Sequence, residues 1–166
     1  MVSLARLHRE SELAPITVDW GLAFTQSATK SGLAYWDALR GSRTMPARRD
    51  LSPRAMRGFL AHVNVVDVIQ DSLHSFEYVV SLQGQHAHDV LGHVAGRRLG
   101  DVLSEPLAHR WRSCFDLSRS AATPVRLLTL ASTQARNWLS CEALLAPLGD
   151  GETVQALFWV FAAWRA

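Results

Sequence analysis

Residues 152–164, ETVQALFWVFAAW, constrain the fold most, because this predicted strand is apolar on both of its faces. Successive side chains of a strand point to opposite sides of the sheet. One side carries Val154, Ala156, Phe158, Val160, Ala162 and Trp164, and the other carries Leu157, Trp159 and Phe161. An antiparallel sheet usually leaves one face to water, so two apolar faces require two covers. We expect the second face to be covered by an N-terminal helix, by another subunit, or by both.

Four more strands are predicted from alternation and from β-branched residues. Residues 62–70 and 75–84 form a first pair, and residues 124–132 and 137–148 precede the doubly apolar segment. On the second strand of the first pair, one face carries Phe76, Tyr78, Val80 and Leu82. The turn signal Gly-Asp-Gly at 149–151 joins the last two strands.

The remaining patterns are helical. Residues 22–41 place Tyr35, Trp36 and Leu39 on one apolar face. An irregular linker follows, and residues 51–60 then favour a short helix with Ser52 as N-cap. Between the two groups of strands, residues 83–120 form short helices broken by glycines and one longer helix.

Helices and strands do not alternate along this chain, so we predict an α+β fold around an antiparallel sheet. We divide the chain into an N-terminal helical arm with its linker, residues 1–60, and a domain of residues 61–166. Six tryptophans in 166 residues indicate broad buried faces or an interface.

Composition makes some classes of function less favoured than others. The net charge of +2 is weak and Lys30 is the only lysine, while the arginines are scattered, so nucleic-acid binding is not favoured. The N-terminus lacks a signal-peptide core and no apolar run is long enough to cross a membrane. Cys114 and Cys141 stand outside any CxxC pair, which is typical of buried, reduced thiols. We therefore expect a cytoplasmic protein.

Three of the seven histidines, His86, His88 and His93, fall within eight residues. On a helix His86 and His88 lie on opposite sides, so they do not bind one metal ion together. His93 follows Gly92, the predicted end of that helix. His86 or His93 could serve as a haem ligand, but a surface histidine that titrates near neutral pH is the favoured interpretation.

No motif points to catalysis. The serines lack a GxSxG elbow, and the segment of short helices carries no cysteine before Cys114 that would support flavin photochemistry. An enzyme on a cone-shaped α+β fold would need a buried acid beside an apolar pocket. Asp67 is the one strand acid available for that alternative.

The order of elements and several short motifs resemble a family of stand-alone bacterial PAS-domain proteins. The motifs are a Tyr-Trp helix at 35–36, Met-Pro-Ala-Arg at 45–48 followed by Asp50, and a strand that ends in Asp67-Val68. Further along, Gly84, Gly92, Gly96, Arg97, Leu99 and Asp101 hold matching places. The resemblance covers residues 33–165 and is most specific over residues 33–103.

This resemblance implies a five-stranded antiparallel sheet with short helices on one face. It also implies a non-catalytic sensory or interaction module that forms homodimers through the N-terminal helix and the outer sheet face and contacts a signalling protein. A small ligand would lie between the sheet and the helices. The expected wall residues are Tyr78, Val80, Leu82, His86, Leu91, Leu99, Trp111 and Phe115. A regulatory adaptor that associates with nucleic acid, suggested by the arginine excess, remains a second hypothesis.

Overall fold

The computed structural model describes residues 14–132 and 138–165. Six strands and four α-helices follow one another along the described chain. Their order is β1 Thr17–Asp19, α1 Ser27–Arg40, β2 Val63–Ser72, β3 Ser75–Leu82, α2 Gln85–Leu91, α3 Leu99–Val102, α4 Glu105–Ala121, β4 Val125–Ser132, β5 Trp138–Gly149 and β6 Val154–Trp164. None of the helices within these ranges is both long and apolar enough to cross a membrane.

All strands lie in one antiparallel sheet with the order β1-β4-β5-β6-β2-β3. The predicted α+β class is confirmed, but the predicted number of five strands is wrong. The additional strand is β1, which pairs Thr17 with Leu128 and Asp19 with Arg126 at one edge. Only three residues long, β1 shows no alternation that a pattern search could detect.

The face that α2, α3 and α4 cover is called the inner face. Its buried side chains include Val66, Tyr78, Leu145, Trp159 and Phe161, which pack with Ala108, Cys114 and Phe115 of α4. Because β6 contributes alternate residues to this cluster, the inner side of the last strand is buried as predicted.

The opposite, outer face is covered by α1 and by the segment that follows it. Phe158 and Val160 of β6 pack there with Leu144 of β5 and Trp36 of α1. The prediction that both faces of the last strand are buried is therefore confirmed, and the N-terminal helix supplies the second cover. At Gly32 a Cβ atom would lie 2.6 Å from Val160 Cγ2, so a glycine is needed for this close contact.

The segment between α1 and β2 corrects one prediction. Residues 51–60 form successive turns instead of a helix, because their hydrogen bonds mostly span three residues, as in Arg57 N to Arg54 O and Phe59 N to Met56 O. The Met-Pro-Ala-Arg motif has a structural role here: Met45 is 1% exposed, and Arg48 forms an ion pair with Asp67 at 3.0 Å.

Candidate functional site

Four aromatic side chains fill the centre of the inner face, and we call them the aromatic cluster: Trp111, Phe115, Trp159 and Phe161. Ring centroids lie 4.9 Å apart for Trp111 and Trp159 and 5.7 Å apart for Phe115 and Trp159. The spacing of four on α4 and of two on β6 brings these rings together. Trp111 is partly exposed, whereas Phe115, Trp159 and Phe161 are buried.

The indole Nε1–H of Trp159 lies in unusual surroundings. Its side chain is 1% exposed, and its Nε1–H has no hydrogen-bond acceptor among the residues that the structure describes. A buried donor without a partner costs about 1–3 kcal/mol. Such groups in folded proteins call for an explanation, and a water molecule or a bound ligand is a common one.

Most of the predicted wall residues lie together on the inner face. Tyr78, Val80, Leu99 and Phe115 are at most 2% exposed and belong to the same core as the aromatic cluster. Two further predicted residues, Leu91 and Trp111, pack against that core and are partly buried.

Leu82 does not lie on the inner face, which corrects its prediction as a wall residue. Val66 pairs with Val80, whereas Val65 pairs with Leu82, so one extra residue of β3 forms a β-bulge between them. A bulge of one residue reverses the side on which the next side chain lies. Leu82 therefore lies on the outer face with Val65 and is 38% exposed.

His86 lies at the edge of the site, in α2, and its ring stacks on His62 with centroids 3.7 Å apart. The His62 Nδ1–H donates to the Phe161 carbonyl at 2.9 Å. Burial lowers the pKa of His86, and the neighbouring His62 lowers it further. Gly92 ends α2 as predicted, with its N–H donating to the His88 carbonyl.

The two histidines considered as haem ligands lie in different surroundings. His62 covers one face of the His86 ring, while His93 is exposed and lies beside His88, with ring centroids 6.2 Å apart. A cavity next to the aromatic cluster measures about 30 Å³. Pockets for organic ligands usually reach roughly 300 Å³ or more.

Tyr78 links β3 to α4 through a polar group at the margin of the inner face. Its hydroxyl donates to Asp116 and accepts a hydrogen bond from Arg119 Nε at 2.9 Å. Burial raises the pKa of Tyr78, and the contact with Asp116 raises it further. The phenol is therefore a neutral structural donor rather than a base.

The outer face contains a charged residue that sequence reasoning missed. Glu142 of β5 is fully buried and accepts hydrogen bonds from the backbone N–H groups of Thr25 and Gln26, both at 3.0 Å. It also accepts one from Thr29 Oγ1 at 2.5 Å and forms an ion pair with Arg126 at 2.7 Å. We call these five residues the Glu142 cluster.

The Glu142 cluster supplies the cap that the α1 sequence lacks. Gln26 precedes the helix, but its own side chain makes no capping hydrogen bond. Burial alone would raise the pKa of Glu142, but the hydrogen bonds from Thr29, Gln26 and Thr25 outweigh burial and hold it below its ordinary value. The carboxylate of a central strand thus anchors the N-terminus of the helix.

Asp67 lies on the outer side of the sheet, away from the aromatic cluster. It pairs with Arg48, and 38% of its side chain is exposed. The alternative of an enzyme with a buried acid in an apolar pocket loses the residue on which it depended.

Part of the outer face is left open by α1. A groove of about 290 Å³ lies there, and Thr17, Leu128, Leu130, Ser140 and Trp164 line it together with Pro15, Thr129 and Cys141. Leu130 is 47% exposed, and none of these lining residues is charged. We call Leu128, Leu130 and Trp164 the open patch.

The fold defines a class of domain: one antiparallel sheet with short helices over its inner face and a flanking helix over its outer face. A family model described as PAS domain matches residues 24–159, which is most of the chain. The chain therefore belongs to the PAS domain family. Comparison with curated proteins gives no match, and comparison with solved structures gives none either.

The family assignment confirms the resemblance to PAS domains that the motifs predicted. PAS domains are sensory or interaction modules, commonly act through contacts with other proteins, and are generally non-catalytic. The match begins at residue 24, just before α1, so the family pattern includes the flanking helix as well as the sheet.

Proposed function

We propose that this chain is a non-catalytic interaction module that associates with a second copy of itself through the open patch and the adjacent α1, and that the dimer contacts a signalling protein. The observation that carries the proposal is the open patch. Leu130 is 47% exposed beside the partly buried Leu128 and Trp164, on the face that α1 otherwise covers. Contiguous exposed apolar patches commonly mark interaction sites.

The chemistry of the patch favours a second copy as its occupant. A two-fold interface brings the same surface of both subunits together, so a charged surface would meet its own charge. The groove at the open patch has no charged lining residue, so this face meets itself without like-charge repulsion.

The oligomeric state tests this proposal. We expect the unaltered chain to sediment as a dimer and Leu130→Asp to sediment as a monomer, because two carboxylates would be buried at the symmetric contact. Leu73→Asp is the matched control: Leu73 is 83% exposed at the β2–β3 hairpin and lies outside the patch. A monomer at all concentrations, or an equal effect of both substitutions, would contradict the proposal.

A second candidate function is the binding of a small neutral ligand on the inner face, and the Trp159 Nε1–H favours it. A ligand with one hydrogen-bond acceptor would satisfy this donor and stack on the aromatic cluster. Tyr78, Val80, Leu91, Leu99 and Phe115 would form the wall around it, with His86 at the edge. Trp111, which is partly exposed, would have to move aside to admit it.

Native mass spectrometry of protein purified from its own host tests this second function. We expect a retained small molecule with the unaltered chain and its loss in a folded Trp159→Phe variant, which keeps an aromatic ring but lacks the donor. Protein that is empty on isolation and takes up no molecule from a host extract would exclude it.

A further inference from the structure

A groove of about 790 Å³ lies beside α1, and we call it the α1 groove. On the helix its apolar wall is formed by Leu33, Ala34 and Trp36. Two loops complete the wall: residues 22–24, which precede α1, and residues 122–124, which join α4 to β4. The volume is in the range of about 300–1,000 Å³ that is usual for sites of small organic ligands. The α1 groove shares no lining residue with the groove at the open patch.

The α1 residues that line the groove form a stripe along the helix. Spacings of three and four place them on one side, in the order Lys30, Leu33, Asp37 and Arg40. The apolar part of the stripe begins beside Lys30 and reaches Trp36. Six residues of α-helix correspond to about 9 Å along the axis. The groove therefore offers an apolar wall of this length that starts at a cation.

Only one of the charged groups in the groove lacks a partner among the described residues. Arg40 forms an ion pair with Asp37 at 2.6 Å, and its guanidinium lies 5.7 Å from the centre of the Trp36 ring. Lys30, the only lysine of the chain, is exposed, and its side chain forms no ion pair or hydrogen bond within residues 14–132 and 138–165. With two cations and one carboxylate, the groove has a surplus of one positive charge, and that charge is at Lys30.

The two loops of the groove have an unusual backbone. Leu22 and Ala122, with φ of 57° and 51°, are the two non-glycine residues of the described chain with positive φ. Ala122 ends α4, where this conformation is common. Leu22 follows no helix, and Asp19 fixes its loop by accepting the N–H groups of Gly21 and Ala23 at 2.8 and 3.0 Å. Because strained residues in folded proteins cluster at binding sites, Leu22 indicates a preformed wall.

We propose that the α1 groove binds an amphiphilic monocarboxylate, with the carboxylate at Lys30 and the apolar chain along Leu33 toward Trp36. A single negative charge matches the single surplus cation of the groove. A phosphate monoester would bring up to two negative charges to the same cation. A cationic amphiphile would be repelled, and a neutral one would leave Lys30 without a partner.

Titration calorimetry of the full chain with octanoate, whose extended chain has about the length of the apolar wall, tests the proposal. We expect saturable binding of one octanoate per chain at concentrations below those at which it forms micelles. Octanol, which keeps the chain, and acetate, which keeps the charge, should both bind more weakly. Lys30→Gln should weaken octanoate binding about threefold to fivefold, since an exposed ion pair contributes modestly, and Lys30→Arg should restore it.

A matched pair of substitutions on α1 locates the site. Ala34→Phe places a ring in the groove and should abolish binding, whereas Ala38→Phe, at an exposed position of the same helix outside the groove, should leave it unchanged. In the unaltered chain, octanoate should shift the backbone amide resonances of Leu22 and Ala122.

Three outcomes would overturn the proposal. They are no saturable binding of octanoate by the unaltered chain, equal binding by a folded Ala34→Phe variant, and equal affinities for octanoate and octanol with no effect of Lys30→Gln. Leu130→Asp, which tests the dimer, should bind octanoate with unchanged affinity, because Leu130 does not line the α1 groove. Failure of the dimer and failure of this site are therefore distinguishable.

Discussion

Both faces of the sheet are covered by apolar side chains, but the two faces differ in how their buried polar groups are satisfied. On the outer face the buried carboxylate of Glu142 is satisfied by Thr25, Gln26, Thr29 and Arg126. On the inner face the buried Trp159 Nε1–H has no acceptor in the described part of the chain.

Two buried tryptophans, one on each face, show the difference between the two faces. Trp36 is 4% exposed on the outer face and donates its Nε1–H to the Pro147 carbonyl at 2.8 Å. Trp159 is 1% exposed on the inner face and donates to no described atom. At Trp36 the outer cover is thus fixed by a hydrogen bond, whereas the centre of the inner cover at Trp159 is held by packing and its polar links, such as that of Tyr78 to Asp116 and Arg119, lie at the margin.

The largest loss of stability is expected from Glu142→Gln, a substitution on the outer face. The substitution removes the charge that balances Arg126 and brings amide protons against the N–H groups of Thr25 and Gln26. We expect a loss of about 3 kcal/mol in the free energy of unfolding, measured by urea denaturation. Glu152→Gln, at an exposed turn position, is the control and should stay within about 0.5 kcal/mol.

The pH dependence of stability, compared between the unaltered chain and Glu142→Gln, is a second test of the same carboxylate. Because the folded pKa of Glu142 is lowered, its contribution is complete above its ordinary pKa of 4.5 and is lost as the pH falls through the folded value. The unaltered chain should therefore lose stability below pH 4.5 more steeply than Glu142→Gln does. Parallel curves would show that the carboxylate is not the stabilising form.

A smaller effect is expected from the matched pair Trp36→Phe and Trp159→Phe. Both substitutions remove similar ring volume, but only the first breaks a hydrogen bond and leaves the Pro147 carbonyl without its donor. Trp36→Phe should therefore cost about 1–2 kcal/mol more than Trp159→Phe in thermal or urea unfolding. An equal cost would mean that the Trp159 N–H has a partner in solution, such as a retained ligand or water.

The smallest effect is expected at the His62–His86 stack, where α2 meets the inner face. The folded pKa of His86 is lowered, so the stability conferred by this contact is complete above its ordinary value of 6.5 and decreases as the pH falls below it. Asp89 of the same helix acts in the opposite direction on His86. His86→Gln should flatten the dependence of the urea midpoint on pH between 5 and 7, and the exposed His74→Gln should not.

Periodicity was sufficient to predict the central sheet. The strands β2 to β6, the two-sided burial of β6 and the end of α2 at Gly92 all follow from the spacing of apolar residues and from turn chemistry. Those features depend on local patterns, which a single sequence displays.

Features that depend on a distant partner could not be predicted in this way. The three residues of β1 form a strand because they pair with β4. Leu82 lies on the outer face because β3 has a one-residue bulge opposite Val65 and Val66. Glu142 offered one signal, a single acid in the apolar segment 138–149, but its partners Thr25 and Gln26 lie more than 100 residues away. The buried stripe of α1 was only partly visible, because Trp36 is preceded in it by Ala28, Thr29 and Gly32, which are not large apolar residues.

The two cores meet along β6, where Trp159 and Val160 are consecutive residues. Trp159 belongs to the aromatic cluster and Val160 contacts Gly32 of α1, so a single peptide plane lies between the two layers. A change in the filling of one layer that tilts this plane therefore also moves the side chain that packs against the layer on the other side.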